Sequence, residues 1–509
     1  MPGFHVEHFG CRAARADGEA VGSRLLAAGQ CVRQPDEADV VVVNTCSVTA
    51  EADRQARAFI RRTHRANPAA RIVVTGCYAQ RAPEELAALD GVAAVVGNSH
   101  KVLAPQIILG LSGVDAERRT AAAARNNVAF ATAASAGAAE ISGTVPGTAV
   151  TGETANSETT QLVGVEALLA GGAAIYADDR FAHSFLEETQ LLPGARTRPN
   201  LKIQEGCGNR CTFCVIPLTR GPSKSLPHAA VLRQVEGFVA AGGNELVLSG
   251  INLGRWGRDL PGDFPKSASR AGMRADRTLA ALVRRIFAET ALPRLRLSSI
   301  EPMDWDAELI GLMAEFGGKR LARHAHLPLQ SGSDAVLRRM HRRYRPWHYA
   351  EKVEALRRAA GPELTLGADV MAGFPGETER EFEETLDMVR ALPFGYLHLF
   401  PFSPRPGTRG WALHAERPVP AGAVAERMAT LRALAAAKSR EHRLRFVGQT
   451  LEAITLHTPE SLAARGRTEA LTENFLPVEL EGRLAANRLV RVRATGLNAA
   501  GALVAAPCA

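Results

Sequence analysis

Three cysteines within eight residues, Cys207, Cys211 and Cys214 in the segment CGNRCTFC, constrain this chain more than any other feature. They follow directly on NLKIQEG, which reads as a strand closed by a turn glycine. Thiolates so close together on one loop can converge on a single soft metal centre. Three ligands on a four-iron cluster leave one iron without a protein ligand. The competing reading is a structural zinc site, which requires four closed ligands. No fourth Cys or His follows nearby apart from His228.

A second group is dispersed. Cys11 lies in HFGC, Cys46 in VVVNTC and Cys77 in IVVTGC, each just past the end of a predicted strand. In a parallel sheet those ends share one edge, where ligands collect. Three buried thiols would be the ordinary alternative, since cysteine is often buried. The same context repeated three times favours a metal site. Of the eight cysteines, Cys31 and Cys508 are left over, the first read as a partly buried thiol and the second as frayed near the terminus.

A chain of 509 residues suits two to four domains. Over 1–106, strand patterns (FHVEHFG, ADVVVVNT, RIVVTG) alternate with helical ones, implying a parallel sheet covered by helices. Residues 107–198 begin with a run rich in Ala, Gly, Ser and Thr that is too poor in large apolar residues to build a core, so they read as an insert and linker. Its later part, VGVEALLAGGAAIYADDRFAHSFLEETQ, reads as short helices. Residues 199–437 repeat a strand-then-helix unit six times, through NLKIQEG, NELVLSG, RLRLSSI, HAHLPLQ, LTLGADVMAG and YLHLFPF. That repeat predicts a partial (β/α)6 barrel, with chemistry at the C-terminal strand ends. Residues 438–509 alternate in an all-β pattern and suit a small β-barrel of a kind that often binds oligonucleotides. The fold class is therefore α/β. No apolar run of about 18 residues reads as a membrane span, and the start MPGFHVEHFGC lacks the pattern of a secretion signal, so the expectation is a cytoplasmic protein with no membrane partner. A net charge of +8 favours a polyanionic partner, though only weakly over so long a chain.

CGNRCTFC, with the aromatic Phe213 before its last cysteine, resembles the signature of radical S-adenosylmethionine (SAM) enzymes. That resemblance implies a [4Fe–4S] cluster on Cys207, Cys211 and Cys214 whose open iron is chelated by SAM. The strand-end segments SSIEP, LPLQSGSD and DVMAGFPGET resemble the family's SAM-contacting segments. With the end of NELVLSG they nominate Ser249, Gly250, Ser298, Glu301, Gln330, Ser331, Asp369 and Gly373 beside Phe213 as cofactor contacts. Taken singly, the glycines also read as turn residues. His324 and His326 read as packing or hydrogen-bonding residues.

NTCSVT and VTGCYAQR resemble the N-terminal domain of the methylthiotransferase family within that superfamily. The resemblance implies a second [4Fe–4S] cluster on Cys11, Cys46 and Cys77, carrying the sulfur that is transferred. It also implies a C-terminal TRAM-like RNA-binding barrel, on which Arg488, Arg491 and Arg493 suit RNA phosphates or form a solvated strand face. The partners implied are the tRNA anticodon loop, a reducing system of flavodoxin or ferredoxin type, and a sulfur donor. NTCSVTAEAD and TGCYAQRAPEE look most like the branch acting on N6-threonylcarbamoyladenosine at position 37. The alternatives are isopentenyladenosine in tRNA, an aspartate of a ribosomal protein, or a non-catalytic RNA-binding iron–sulfur protein. Two departures stand out. Relatives follow Cys11 with Lys and Asn, where this chain has Arg12-Ala13-Ala14, and they carry RGxSRS where this chain has RGPSKS. Lys224 in the latter lacks the bidentate fork of arginine.

Overall fold

The computed structural model describes residues 1–111, 173–181, 186, 188, 191, 198–260 and 277–508. The N-terminal sheet contains β1 (Gly3–His8), β2 (Cys31–Val32), β3 (Val40–Thr45), β4 (Arg71–Gly76), β5 (Val92–Gly97) and β6 (Ala174–Tyr176). All pair in parallel, in the order β2-β1-β3-β4-β5-β6. β3 is a continuous β-branched run, Val40 to Val43, buried on both faces as central parallel strands are. Helices cover both sides. Ala50–Ala66 starts on the Thr49 hydroxyl, which accepts from the Ala52 amide at 3.2 Å, and buries Ala56, Phe59, Ile60 and Thr63 at helical spacing. β6 lies within the segment expected to form short helices. It is a strand, because it completes the sheet edge beside β5.

The six predicted barrel strands are β7 (Asn200–Glu205), β9 (Glu245–Gly250), β10 (Arg294–Leu297), β11 (His324–His326), β12 (Thr365–Ala372) and β13 (Phe394–Pro401). A short strand absent from the sequence reading, β8 (Lys224–Ser225), pairs antiparallel with β7. Two sheets result, β10-β9-β7-β8 and β11-β12-β13, linked by a single bridge from Leu295 of β10 to Leu321, just before β11. The largest buried side chains of the barrel core include Trp256 and Trp305.

The helix Ala421–Leu444 packs along β13, so the chain is still helical past residue 438, where an all-β pattern was expected. Its Ala-rich sequence favours continuous helix. Then β14 (Thr450–Thr455), β15 (Arg467–Thr472), β16 (Pro477–Glu481), β17 (Leu489–Leu497) and β18 (Leu503–Pro507) close into a barrel. Cys508 is not frayed: its amide donates to the Arg491 carbonyl at 2.8 Å.

The turn after β15 plugs the N-terminal mouth of the larger barrel. Phe475, at φ +70°, lies 4.2 Å from the His324 ring and 5.3 Å from the Tyr396 ring. Arg323 donates to Glu473 at 2.7 Å, and Asn474 donates to the Glu363 carbonyl at 2.9 Å. His324 is thus a packing residue. Truncating an aromatic in such a seat costs about 3–5 kcal/mol. Phe475→Ala should therefore give the C-terminal barrel a separate, lower melting transition in calorimetry, where the unsubstituted chain melts the two barrels together.

Candidate functional site

The sheet brings the dispersed cysteines together. Cys11 caps the helix Arg12–Ala27 after β1, Cys46 follows β3 directly, and Cys77 opens a short helix after β4. Two glycines make the approach possible. A Cβ on Gly10, at φ +146°, would lie 2.8 Å from the Cβ of Cys46, and one on Gly76, at φ +99°, would lie 2.3 Å from the Thr45 carbonyl oxygen. Cys11 is exposed, whereas Cys46 and Cys77 are buried. Burial, reinforced by Cys77 and Cys11, pushes the Cys46 thiol up to about 12.

The second trio sits on the loop after β7, at the C-terminal end of the barrel strands. Neighbouring backbone pins that loop. The Thr212 amide donates to the Met340 carbonyl at 3.1 Å, and the Cys207 amide donates to the Gly221 carbonyl at 3.2 Å. Asn252 faces the Cys207 sulfur at 3.5 Å, and Arg342 donates to the Cys211 sulfur at 3.2 Å. Burial pushes the Cys214 thiol up to about 12, with Cys211 and Cys207 adding to the shift. His228 is no fourth ligand. It opens the helix after β8 and lies edge-on to Trp256 at 4.7 Å.

The expected cofactor contacts divide into two sets. Ser249, Ser298 and Gln330 are buried at or just beyond the ends of β9, β10 and β11, and Ser249 Oγ, Ser298 Oγ and Gln330 Oε1 have no hydrogen-bond partner among the described residues. Asn252 Oδ1 is orphaned in the same way. Buried polar atoms without partners are rare in a finished structure, so this shelf fits a polar ligand. Gln330 also holds a positive φ of 63°, a strained backbone of the kind found at functional sites. Gly250 ends β9 against Gln204, and Phe213 packs on the barrel core. Glu301 accepts from Arg342 beside Cys211.

The other expected contacts are engaged elsewhere. Ser331 bonds Thr385 at 3.0 Å and accepts from the Ser333 amide at 3.1 Å, which makes it a brace for the turn. The amide of Gly373 donates to Glu377 at 2.7 Å, and its open side faces Val424. Asp369 lies 3.4 Å from His326 and 3.3 Å from His398, with Ser299 holding the other His326 nitrogen at 2.9 Å. Burial would raise the Asp369 carboxyl, but hydrogen bonds from these two histidines hold it well below the usual range. Lys224 donates to the Phe181 carbonyl at 2.9 Å, a contact to backbone.

Four polar residues beside cysteine sulfur escaped the sequence reading: Asn98, Asn252, Arg342 and Arg220. Arg220 is fully buried and reaches from the barrel into the N-terminal domain. Its Nε donates to the Cys77 sulfur at 3.2 Å, and its Nη1 donates to Asp17 at 3.0 Å and also to Glu205. Asn98 spans the same seam, facing Cys77 Sγ at 3.5 Å and donating to the Thr219 carbonyl at 2.8 Å. Lys101 and Lys202 complete the cluster around Asp17 and Glu205. Burial pushes the Asp17 carboxyl up, but Lys101, Lys202 and Arg220 outweigh it and hold the group well below the carboxylate range.

An open parallel barrel with a thiol trio on the loop after its first strand, above a shelf of unpartnered polar atoms, defines a protein of the radical SAM class. Residues 201–389 match the family model described as "Radical SAM superfamily", and residues 3–97 match "Uncharacterized protein family UPF0004". The chain is 32% identical over 481 residues to the threonylcarbamoyladenosine tRNA methylthiotransferase MtaB of Bacillus subtilis (strain 168), covering 94% of this chain and 90% of that one. The enzyme of the same name from Aquifex aeolicus (strain VF5) is 31% identical over 487 residues, covering 96% and 98%. The tRNA-2-methylthio-N(6)-dimethylallyladenosine synthase of Sorangium cellulosum (strain So ce56) is 32% identical over 469 residues, covering 89% and 82%. The chain belongs to the radical SAM methylthiotransferase family and is a transferase.

Thiolate is the reactive form of cysteine, so a raised thiol reacts slowly. In metal-free protein at pH 8, iodoacetamide should label Cys46 and Cys214 at least about tenfold more slowly than exposed Cys11, as read by peptide mass spectrometry. Equal rates would contradict the upward shift of these two thiols.

Proposed function

We propose that this protein adds a methylthio group to carbon 2 of N6-threonylcarbamoyladenosine at position 37 of tRNA, beside the anticodon. The observation that supports the reading is the seam between barrel and N-terminal domain, where the barrel's Arg220 donates to the Cys77 sulfur and Asn98, beside that sulfur, donates to the Thr219 carbonyl of the segment after the barrel thiols. Cys11, Cys46 and Cys77 would hold one [4Fe–4S] cluster, and Cys207, Cys211 and Cys214 the other. When bound, these clusters and SAM supply the electron, the radical and the sulfur that methylthio transfer to an unactivated carbon needs.

The chain's own residues do the rest. Asn252 and Arg342 orient the Cys207 and Cys211 sulfurs, while Ser249, Ser298 and Gln330 offer polar atoms to SAM. A recess of about 590 Å³ opens beside Cys211 and Glu301, lined also by Arg210, Arg255, Arg258 and Arg343. Its size suits a nucleoside and its charge suits RNA. Arg488, Arg491 and Arg493 stand exposed at β17, where they can meet phosphates. Anticodon-loop bases can be splayed out and stacked, which makes carbon 2 reachable. The named substrate follows the threonylcarbamoyl relatives. The reductant of flavodoxin or ferredoxin type, the sulfur donor and a cytoplasmic location complete the proposal. No described helix is long and apolar enough to cross a membrane.

Anaerobically reconstituted protein should bind about eight irons, from two four-iron clusters. Replacing Cys207, Cys211 or Cys214 by Ala should abolish reductive SAM cleavage. Cys46→Ala should keep cleavage and lose methylthiolation; cleavage surviving in the first set would refute their assignment. Nucleoside mass spectrometry of tRNA from a strain lacking the gene should show loss of 2-methylthio-N6-threonylcarbamoyladenosine. An unchanged pool of that nucleoside, with loss of the methylthiolated dimethylallyl nucleoside instead, would move the protein to the other tRNA branch.

A further inference from the structure

Arg220 leaves one donor unused. Its Nε is taken by the Cys77 sulfur and its Nη1 by Asp17 and Glu205, but its buried Nη2 has no hydrogen-bond partner among the described residues. A buried guanidinium N–H without an acceptor is costly, on the order of 1–3 kcal/mol or more for a charged group. The guanidinium is planar, and its Nε–H and Nη2–H lie along one edge of the fork, the edge used for bidentate contacts. The orphaned donor therefore faces the same side as the Cys77 sulfur. Cys11 and Cys46 also lie within electrostatic reach of this guanidinium. Its orientation is fixed from behind. Asp17 and Glu205 hold Nη1, and Lys101 and Lys202 hold those carboxylates.

We propose that Arg220 is a positioning residue that presents a two-donor edge to the N-terminal cluster, with Nε on the Cys77 thiolate and Nη2 on a second anionic sulfur at that centre. This rests on the reading of Cys11, Cys46 and Cys77 as cluster ligands. Hydrogen bonds to sulfur favour the more negative, reduced cluster, so Arg220 raises the potential of this centre more than that of the barrel cluster. The same short segment ties the two centres mechanically, because the carbonyl of Gly221 accepts from the Cys207 amide.

The test uses the full-length, anaerobically reconstituted protein. Arg220→Lys keeps the charge and removes the edge. In EPR-monitored redox titration it should shift the midpoint of the N-terminal cluster to more negative potential. The barrel cluster's midpoint should move less than that of the N-terminal cluster. Unmoved potentials at eight irons, or equal shifts of both clusters, would overturn the assignment. Failure of the ligand reading itself would look different, as about four irons in the unsubstituted protein. A readout that needs no folded variant is pulsed EPR of unsubstituted protein labelled with guanidino-15N arginine. The reduced N-terminal cluster should show two arginine nitrogen couplings. One coupling, or none, would overturn the second donor.

Discussion

A fully buried guanidinium in the seam between two domains organises this protein. Arg220 belongs to the barrel by sequence, yet its side chain ends among the N-terminal residues Asp17 and Cys77. Three basic side chains, Arg220, Lys101 and Lys202, surround two carboxylates, Asp17 and Glu205, and burial pulls the Lys101 ammonium well below its ordinary value. Such a cluster survives out of water only if its hydrogen bonds are in place, and removing one partner costs about 3–5 kcal/mol. Its Arg220 guanidinium lies beside the Cys77 sulfur, which would be anionic as a metal ligand. The seam therefore matches a negatively charged centre better than it matches the metal-free chain.

The two trios reach the same end by different routes. Three barrel thiols are neighbours in sequence and need only a loop, pinned by the Met340 and Gly221 carbonyls. The N-terminal thiols are 35 and 31 residues apart (46 − 11 and 77 − 46) and need a sheet, since parallel strands place β1, β3 and β4 endings on one edge. Both sets include thiols pushed up by burial, so metal binding at either releases protons and its affinity rises with pH.

Much of this was legible in the amino-acid sequence, for physical reasons. The six barrel strands are apolar runs bounded by turns, and both cysteine trios follow strand ends. β5 went unseen because two alanines interrupt the valines of VAAVVG, and β6 because AIY lies inside a helix-like, Ala-rich stretch. Helix Ala421–Leu444 overran the expected boundary because nothing in its sequence stops it before Leu444. The supporting residues were the least visible. Arg342 stands in the basic run HRRYR, which reads as a solvated face, and Arg220 looks like a helix-terminal cation. Only tertiary contacts show that both are buried against cysteine sulfur. Ser331 and Gly373 show the converse: they lie in motif segments, but their bonds go to Thr385 and Glu377.

The most direct measurement is a crystal structure of the anaerobically loaded protein with anomalous data at the iron edge. Two compact iron peaks should appear, one bounded by Cys11, Cys46 and Cys77 with the Arg220 edge against it, the other bounded by Cys207, Cys211 and Cys214. A single iron peak at the barrel loop, or a zinc-edge signal at either trio, would contradict the account.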